Sequence, residues 1–135
     1  MPRHRSYVPN GVIPAVLLPF HDDLSIDEAS YRAHLRDVTS VSGISAITIN
    51  AHASEVASCS FDEQRRVLEI TQSEIGERVP IVNGIYAEGS LEAARIAKMA
   101  HDGGASALLV FPSGVYTFGQ RPGICLLYTS DAADE

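Results

Sequence analysis

The segment with the clearest chemical potential is the loop of residues 50–55, Asn-Ala-His-Ala-Ser-Glu. It directly follows a short apolar run, and its small residues let backbone amides approach a bound ligand closely. Ser54 adds a hydroxyl group, and His52 adds a group that donates or accepts a proton, so the loop suits an anion such as a carboxylate. The alternative is structural: the small residues permit a tight turn, and Glu55 holds the loop amides.

Lys98 is the only lysine of the chain. A lysine that attacks a ketone must be neutral near pH 7, so its pKa must fall from about 10.4 by roughly three units, or about 4 kcal/mol. Lys98 lies on the third predicted helix, off its apolar stripe, where neither burial nor a neighbouring cation supplies that shift. We therefore expect Lys98 to be a surface charge, and we assign no catalytic residue in this chain.

Motifs of several other reaction classes are absent from the sequence. There is no GxGxxG, GxxxxGK[ST], GxSxG or HExxH, and Cys59 and Cys125 have neither CxxC nor metal-site spacing. His34 and His101 lie on predicted helices, where surface or internally bonded imidazoles are the ordinary case; His4 and His21 are treated alike. We expect no cofactor and no bound metal.

Apolar runs and helical periodicities alternate along the chain, and these elements must position the loop. Strands are predicted at residues 12–20, 46–49, 79–82 and 107–111, with a turn at 21–24. Capping boxes begin two of the helices at Ser25 and Ser60, and Ser90 caps the third. The apolar stripes of the helices are Tyr31, Leu35, Val38 and Val41, then Val67, Leu68, Thr71 and Ile75, then Ala93, Ile96, Ala97 and Ala100.

The order β-α-β-α-β-α-β with continuously apolar strands indicates an α/β fold whose strands are parallel and buried on both faces. Two architectures satisfy this order: the N-terminal half of a (β/α)₈ TIM barrel, truncated after its fourth strand, or an open doubly wound sheet. Both place their chemistry at the carboxyl ends of the strands. The loops there are residues 20–24, 50–59, 85–89 and 112–122.

Composition excludes several partners. The 135 residues are 45% hydrophobic and 20% charged, which fits one small globular domain. The net charge is −7 with no basic stripe, so we expect no nucleic acid partner. The longest apolar run, residues 12–20, contains Pro14 and Pro19 and is too short to span a membrane. Without a signal sequence or disulfide spacing, a cytoplasmic location is expected.

The last eleven residues, 125–135, show neither helical nor strand periodicity. They resemble the in-frame translation of a transposase adapter used to prepare sequencing libraries. We therefore divide the chain into an N-terminal extension at residues 1–10, a partial barrel domain at 11–124 and a non-native tail at 125–135.

Five segments between residues 11 and 122 together resemble the dihydrodipicolinate synthase and N-acetylneuraminate lyase family of class I, Schiff-base aldolases. The resemblance implies a (β/α)₈ barrel, usually in homotetramers, in which a lysine later in the chain forms a Schiff base with pyruvate or another 2-oxo acid. The family's Thr-Thr segment, which binds the substrate carboxylate, corresponds here to His52 and Ala53, and Ser54 takes the place of the next glycine. The segments are 11–20, 25–28, 43–63, 80–84 and 104–112.

The sequence also departs from that family's pattern. The family's hydroxyl relay cannot run through Ala53, and the Tyr-Tyr pair after the fourth strand is Ser113-Gly114, with Tyr116 out of register. These changes favour a divergent member with another 2-oxo acid or aldehyde partner. The lysine-bearing part is missing, so we expect a fragment that is inactive alone and forms no adduct with pyruvate on borohydride reduction. With open sheet edges, it should be poorly soluble or self-associating.

Two other interpretations remain open. One is a non-catalytic small-ligand-binding domain with an open flavodoxin-like parallel sheet that is complete near residue 124. The other is a metal-dependent aldolase with His52 and Glu55 as ligands.

Overall fold

The computed structural model describes residues 7–114. Three helices and three strands alternate, together with two short 3₁₀ turns at His52–Ser54 and Val56–Ser58. The predicted tail, Tyr116, His4 and most of the 1–10 and 112–122 segments lie outside the described residues. The elements are α1 (Glu28–Ser40), β1 (Ile47–Ile49), α2 (Phe61–Ile75), β2 (Ile81–Ile85), α3 (Ser90–Asp102) and β3 (Ala107–Val110).

The strands form one parallel sheet in the order β1-β2-β3, with Ile47 opposite Ile81 and Val82 opposite Ala107. Residues 12–16 lie along the free edge of β1, so the four strand positions follow one another in sequence order. A flavodoxin-like sheet would place the first strand between the second and the third. The sequential order therefore contradicts the open doubly wound alternative and confirms the half-barrel.

The first predicted strand is present only as an extended segment with isolated parallel bridges, from Val12 to Ile44 and from Ala15 to Thr48. Thr48 donates its amide to the Pro14 carbonyl at 2.8 Å, and Val16 donates its amide to the Thr48 carbonyl at 3.0 Å. Pro14 and Pro19 have no N–H group, so a continuous ladder cannot form across the predicted run of residues 12–20. The predicted strand therefore lies beside β1, as expected, but it does not form a continuous β-ladder.

At the N-termini of α1 and α3, the cap residues differ from the predicted ones. Asp27, not Ser25, caps α1 by accepting the Ser30 amide at 3.0 Å, while the Ser25 hydroxyl donates to Asp23. A carboxylate accepts the amide and complements the helix dipole, so Asp27 outcompetes a hydroxyl two residues earlier. Gly89, not Ser90, is the cap residue of α3. The capping box of Ser60 with Glu63 at α2 is confirmed in both directions.

One apolar core lies between the helices and one face of the sheet. It is made mainly of aliphatic side chains from all three helices, the first extended segment and the strands β1 and β2, together with the ring of Tyr31. Val41, predicted to join the stripe of α1, lies beyond the helix and is 58% exposed. Strands β1 and β2 are fully buried, as predicted, but Leu108, Leu109 and Val110 of β3 are 45%, 41% and 64% exposed. Burial of the fourth strand on both faces was a wrong prediction, because no described element covers β3.

Helices α1 and α2 are joined by polar contacts at their interface. The buried Tyr31 hydroxyl lies 2.9 Å from the Thr71 hydroxyl, which itself donates to the Val67 carbonyl at 2.7 Å. Burial raises the pKa of Tyr31 to about 12. Glu28 receives two hydrogen bonds of 2.7 Å from the Arg66 guanidinium, which lowers the pKa of that carboxyl group. No helix among residues 7–114 is long and apolar enough to cross a bilayer.

Candidate functional site

The loop after β1 is held against the end of β2 by close backbone packing. Asn50 adopts a left-handed conformation, with φ +50°, and turns the chain over Gly84. A Cβ atom on Gly84 would lie 2.0 Å from the Asn50 carbonyl oxygen, so only glycine permits this approach. The 50–55 loop therefore lies directly over the carboxyl end of the sheet.

A buried amide pair fixes the base of this loop. The Asn50 side chain donates to Asn83 Oδ1 at 2.9 Å and to the Gln64 carbonyl at 3.0 Å. Asn83 donates in turn to the Gly84 carbonyl at 2.8 Å, and both asparagine side chains are buried. These hydrogen bonds connect β1, β2 and α2 to one another at the base of the loop.

Ser54 anchors the loop to the first extended segment. Its side chain is 1% exposed, and its hydroxyl donates to the Val16 carbonyl at 2.7 Å. Glu55, with φ +54°, then separates the two 3₁₀ turns. Among residues 7–114 no group accepts a hydrogen bond from the amides of His52 and Ala53. These two amides can serve an external acceptor, whereas the Ser54 hydroxyl is already engaged.

The His52 imidazole meets two aromatic rings at the ends of the neighbouring strands. It stacks on Phe111, which follows β3, with 4.3 Å between ring centroids and 28° between ring planes. Tyr86, which follows β2, approaches the imidazole edge-on at 5.5 Å and 75°. Of the three predicted site residues, His52 thus contacts Tyr86 and Phe111, Ala53 is exposed beside His52, and Ser54 points into the protein.

Tyr86 and Phe111 were not predicted as site residues. The available signal was positional, since each lies immediately after a strand whose carboxyl end faces the same edge as residues 50–55. Phe111 was counted as the last residue of the fourth strand, and Tyr86 was one of several residues in a loop. Neither could be paired with His52 before the strand order was known.

The other reactive groups lie away from the strand ends or are unreactive. Lys98 is 77% exposed on α3 and pairs with Asp102 at 2.9 Å, so the predicted surface charge is confirmed. Burial, with Glu63 and Glu55 nearby, raises the pKa of the Cys59 thiol, which therefore stays protonated. No group of three acidic, histidine or cysteine side chains among the described residues could hold a metal ion, which leaves the pair His52 and Glu55 without a third ligand.

A groove lies elsewhere, between α2 and α3 on the outer surface. It encloses about 520 Å³ over an apolar floor that includes Phe61, Leu68 and Met99, with charged side chains at its rim. None of its lining residues belongs to a strand-end loop. In this fold class chemistry is performed at the strand ends, so we assign the site to residues 50–55 with Tyr86 and Phe111.

Sequentially ordered parallel strands, with helices on one face and loops gathered at the carboxyl ends, define the N-terminal half of a (β/α)₈ barrel. The chain belongs to the dihydrodipicolinate synthetase family, whose model matches residues 8–126. The family resemblance of the sequence is thereby confirmed.

Comparisons with individual proteins agree with this assignment. The chain is 35% identical over 100 residues to a 4-hydroxy-tetrahydrodipicolinate synthase of Salinibacter ruber, covering 74% of this chain and 33% of that protein. It is 38% identical over 110 residues to a Streptomyces avermitilis protein named "Probable 5-dehydro-4-deoxyglucarate dehydratase 2", covering 82% and 33%.

Among solved structures, the fold is similar to that of the 4-hydroxy-tetrahydrodipicolinate synthase from Methylacidiphilum fumariolicum SolV. The TM-score is 0.78 at 22% identity, covering 95% of this chain and 42% of that one. The chain thus spans between about a third and less than half of the length of the proteins it matches.

Proposed function

We propose that residues 7–114 form the carboxylate-binding half of a class I aldolase or lyase whose substrate is pyruvate or another 2-oxo acid. The amides of His52 and Ala53 bind the substrate carboxylate, and the His52 imidazole lies beside it. The Schiff-base lysine belongs to the part of the protein that follows this half-barrel. The complete protein is a cytoplasmic homo-oligomer in this proposal.

The single observation that carries the proposal is the pair of amides at His52 and Ala53. They lie at the carboxyl end of the sheet, and no described group accepts from them. Backbone amides without an internal acceptor in a small-residue loop are a recurring anion-binding arrangement. Family membership adds the expectation that the anion is the carboxylate of a 2-oxo acid.

Residue 53 limits which member of the family this is. Ala53 has no hydroxyl group, and the Ser54 hydroxyl is committed to Val16 at 2.7 Å. The only side chain of the 52–54 segment that can exchange hydrogen bonds with a substrate is therefore His52. Two relatives of similar identity carry the names of different enzymes, a synthase and a dehydratase. We propose a substrate that differs from the synthase's own at the position His52 contacts.

The amine must come from outside these residues. Lys98 projects from α3 into solvent, where it pairs with Asp102 at 2.9 Å, and it lies on a helix rather than at the strand ends that carry residues 50–55. Its amine is therefore not placed beside the C2 carbonyl carbon of a 2-oxo acid bound at that loop. This chain alone is therefore inactive in the proposal, and its part of the reaction is to bind and orient the acid.

Titration of the ¹⁵N-labelled chain with pyruvate tests the binding step. We expect chemical-shift changes centred on the His52 and Ala53 amides and similar changes with acetate, which presents the carboxylate alone. His52→Ala should weaken pyruvate binding several-fold, whereas His101→Ala, an exposed histidine on α3, should leave it unchanged. Shift changes confined to other regions at saturating pyruvate would contradict the assignment of this loop.

Borohydride reduction with pyruvate tests the chemistry. The 135-residue chain should gain no mass, whereas a longer natural protein that continues beyond this half-barrel should gain one reduced pyruvate on a lysine at a strand end. A covalent adduct on Lys98 would contradict the proposal that the Schiff-base lysine lies beyond this half-barrel.

A further inference from the structure

Phe111 connects three strand ends at the candidate site. Its amide donates to the carbonyl of Ile85, the last residue of β2, at 3.0 Å. It directly follows Val110 at the end of β3, and Val110 lies opposite Ile85 in the sheet. Its half-buried ring stacks on His52 from the loop after β1, with 4.3 Å between ring centroids. The Phe111 side chain therefore extends from a backbone fixed in the sheet to the loop that carries the site.

The His52 imidazole is held by ring contacts. Among residues 7–114 its side-chain interactions are the stack on Phe111 and the steep-angled contact with Tyr86 at 5.5 Å. An exposed histidine without such contacts exchanges between several rotamers, and the stack at 28° selects one orientation of the ring plane. Because the N–H group and the lone pair of an imidazole lie in the ring plane, stacking on its face leaves both nitrogens available to a ligand.

The same stack fixes the backbone that carries the two candidate amides. His52 begins the 3₁₀ turn His52–Ser54, and the end of that turn is anchored by the Ser54 hydroxyl, which donates to the Val16 carbonyl at 2.7 Å. The stack on Phe111 anchors the beginning of the turn. The amides of His52 and Ala53 thus lie between two fixed points.

We infer that Phe111 is a positioning residue of this site and that it acts through His52, whose imidazole and amide it holds toward the bound acid. The inference rests on the proposed function, because it takes the substrate carboxylate to bind at the amides of His52 and Ala53. A side chain that is ordered before the ligand arrives does not have to be ordered during binding, so the stack increases the affinity for the acid.

Pyruvate titration of the ¹⁵N-labelled 135-residue chain and its variants tests the inference. Phe111→Leu removes the ring face and should raise the Kd for pyruvate about two- to tenfold, the range of one aromatic pair. Phe111→Ile removes the same ring and serves as a second variant. Phe111→Tyr keeps the ring and should bind pyruvate like the unchanged chain.

Phe61→Leu is the matched control. It makes the same chemical change at a half-buried phenylalanine on α2, whose ring contacts the Arg95 guanidinium at 3.7 Å in the outer groove. This variant should bind pyruvate like the unchanged chain, because its ring does not contact His52.

A double-mutant cycle with His52→Ala separates positioning from a general structural role. If Phe111 acts through His52, adding Phe111→Leu to His52→Ala should cause no further loss of pyruvate affinity. A purely structural role would lower the affinity by the same factor in both backgrounds.

The ring-proton resonances of His52 give a measurement without ligand. The ring current of Phe111 should separate them from those of His101, an exposed histidine on α3. This separation should shrink in Phe111→Leu and persist in Phe111→Tyr.

The outcomes distinguish this inference from the function on which it rests. Equal losses of affinity in both backgrounds would overturn the role of Phe111 and leave the proposed function intact. Unchanged pyruvate binding and unchanged His52 ring resonances in folded Phe111→Leu would do the same. If the unchanged chain shows no pyruvate-induced shifts at the loop amides, the proposed function fails and this inference fails with it.

Discussion

Replacing Gly84 by alanine should separate the site loop from the sheet. The new Cβ atom would lie 2.0 Å from the Asn50 carbonyl oxygen and 2.7 Å from its carbon atom. An ordinary contact needs at least 3.4 Å, so the loop and β2 must move apart by the difference. Both neighbours are backbone atoms at the ends of parallel strands, and no side-chain rotation can relieve the overlap.

The cost follows from the packing around that point. Forcing one extra carbon into a well-packed interior typically costs about 1–3 kcal/mol. Here the displaced backbone also carries the Asn50 side chain, whose hydrogen bonds to Asn83 and Gln64 are 2.9 and 3.0 Å long. We therefore expect the free energy of unfolding to fall by about 3 kcal/mol, at the upper end of that range.

Urea unfolding at fixed protein concentration measures this loss of stability, and the urea concentration at the unfolding midpoint should fall by about 1–2 M. The amide resonances of residues 50–55 should also shift. Gly89→Ser is the matched control, because a Cβ atom there meets nothing within 4 Å and serine is a good cap residue for α3. A Gly84→Ala protein as stable as the unchanged chain, with unmoved loop resonances, would refute the packing argument.

Three further substitutions test other contacts. Tyr31→Phe removes the 2.9 Å hydroxyl contact with Thr71 and should cost about 1 kcal/mol in urea unfolding, whereas no loss would mean that this buried contact is energetically neutral. Glu74→Gln removes a carboxylate whose pKa two arginines of α1 hold below 4.5. Because the pKa of Glu74 is lowered in the folded state, its carboxylate stabilises the fold at pH values above the unfolded-state pKa. The unchanged chain should therefore have a higher free energy of unfolding than Glu74→Gln at pH 7, and this difference should vanish as the pH falls through the lowered pKa. A constant difference down to pH 2 would contradict this. Ser54→Ala leaves the Val16 carbonyl without its buried donor and should lower the free energy of unfolding by about 1–3 kcal/mol. The pyruvate-induced shifts at the loop amides should remain. Loss of those shifts in a folded variant would instead make the hydroxyl a substrate ligand.

Much of the fold follows from local patterns. The stripe of α2 was predicted residue by residue, and Val67, Leu68, Thr71 and Ile75 are all buried. Such prediction works because helical periodicity and the capping box are determined within a few residues of chain. The prediction at β2 was displaced, since residues 79–82 were expected and Ile81–Ile85 is observed. Asn83 and Gly84 disfavour strands locally, and their tertiary contacts outweigh that preference.

The candidate site was predictable only in part. The 50–55 loop was identified from its small residues and its place after a strand. The sequence could not show that the Ser54 hydroxyl turns inward to Val16, a residue 38 positions away along the chain. Nor could it show that Tyr86 and Phe111 pack around His52.

The amino-acid sequence by itself determines the alternation of strands and helices, the helix faces and the family, because these depend on side-chain types at short or fixed spacings. Only the tertiary structure decides the order of the strands, the exposed state of β3 and the grouping of His52 with two aromatic rings. Those features arise when chain segments that are distant in sequence are brought side by side, and the energies that select them come from contacts that no local pattern contains.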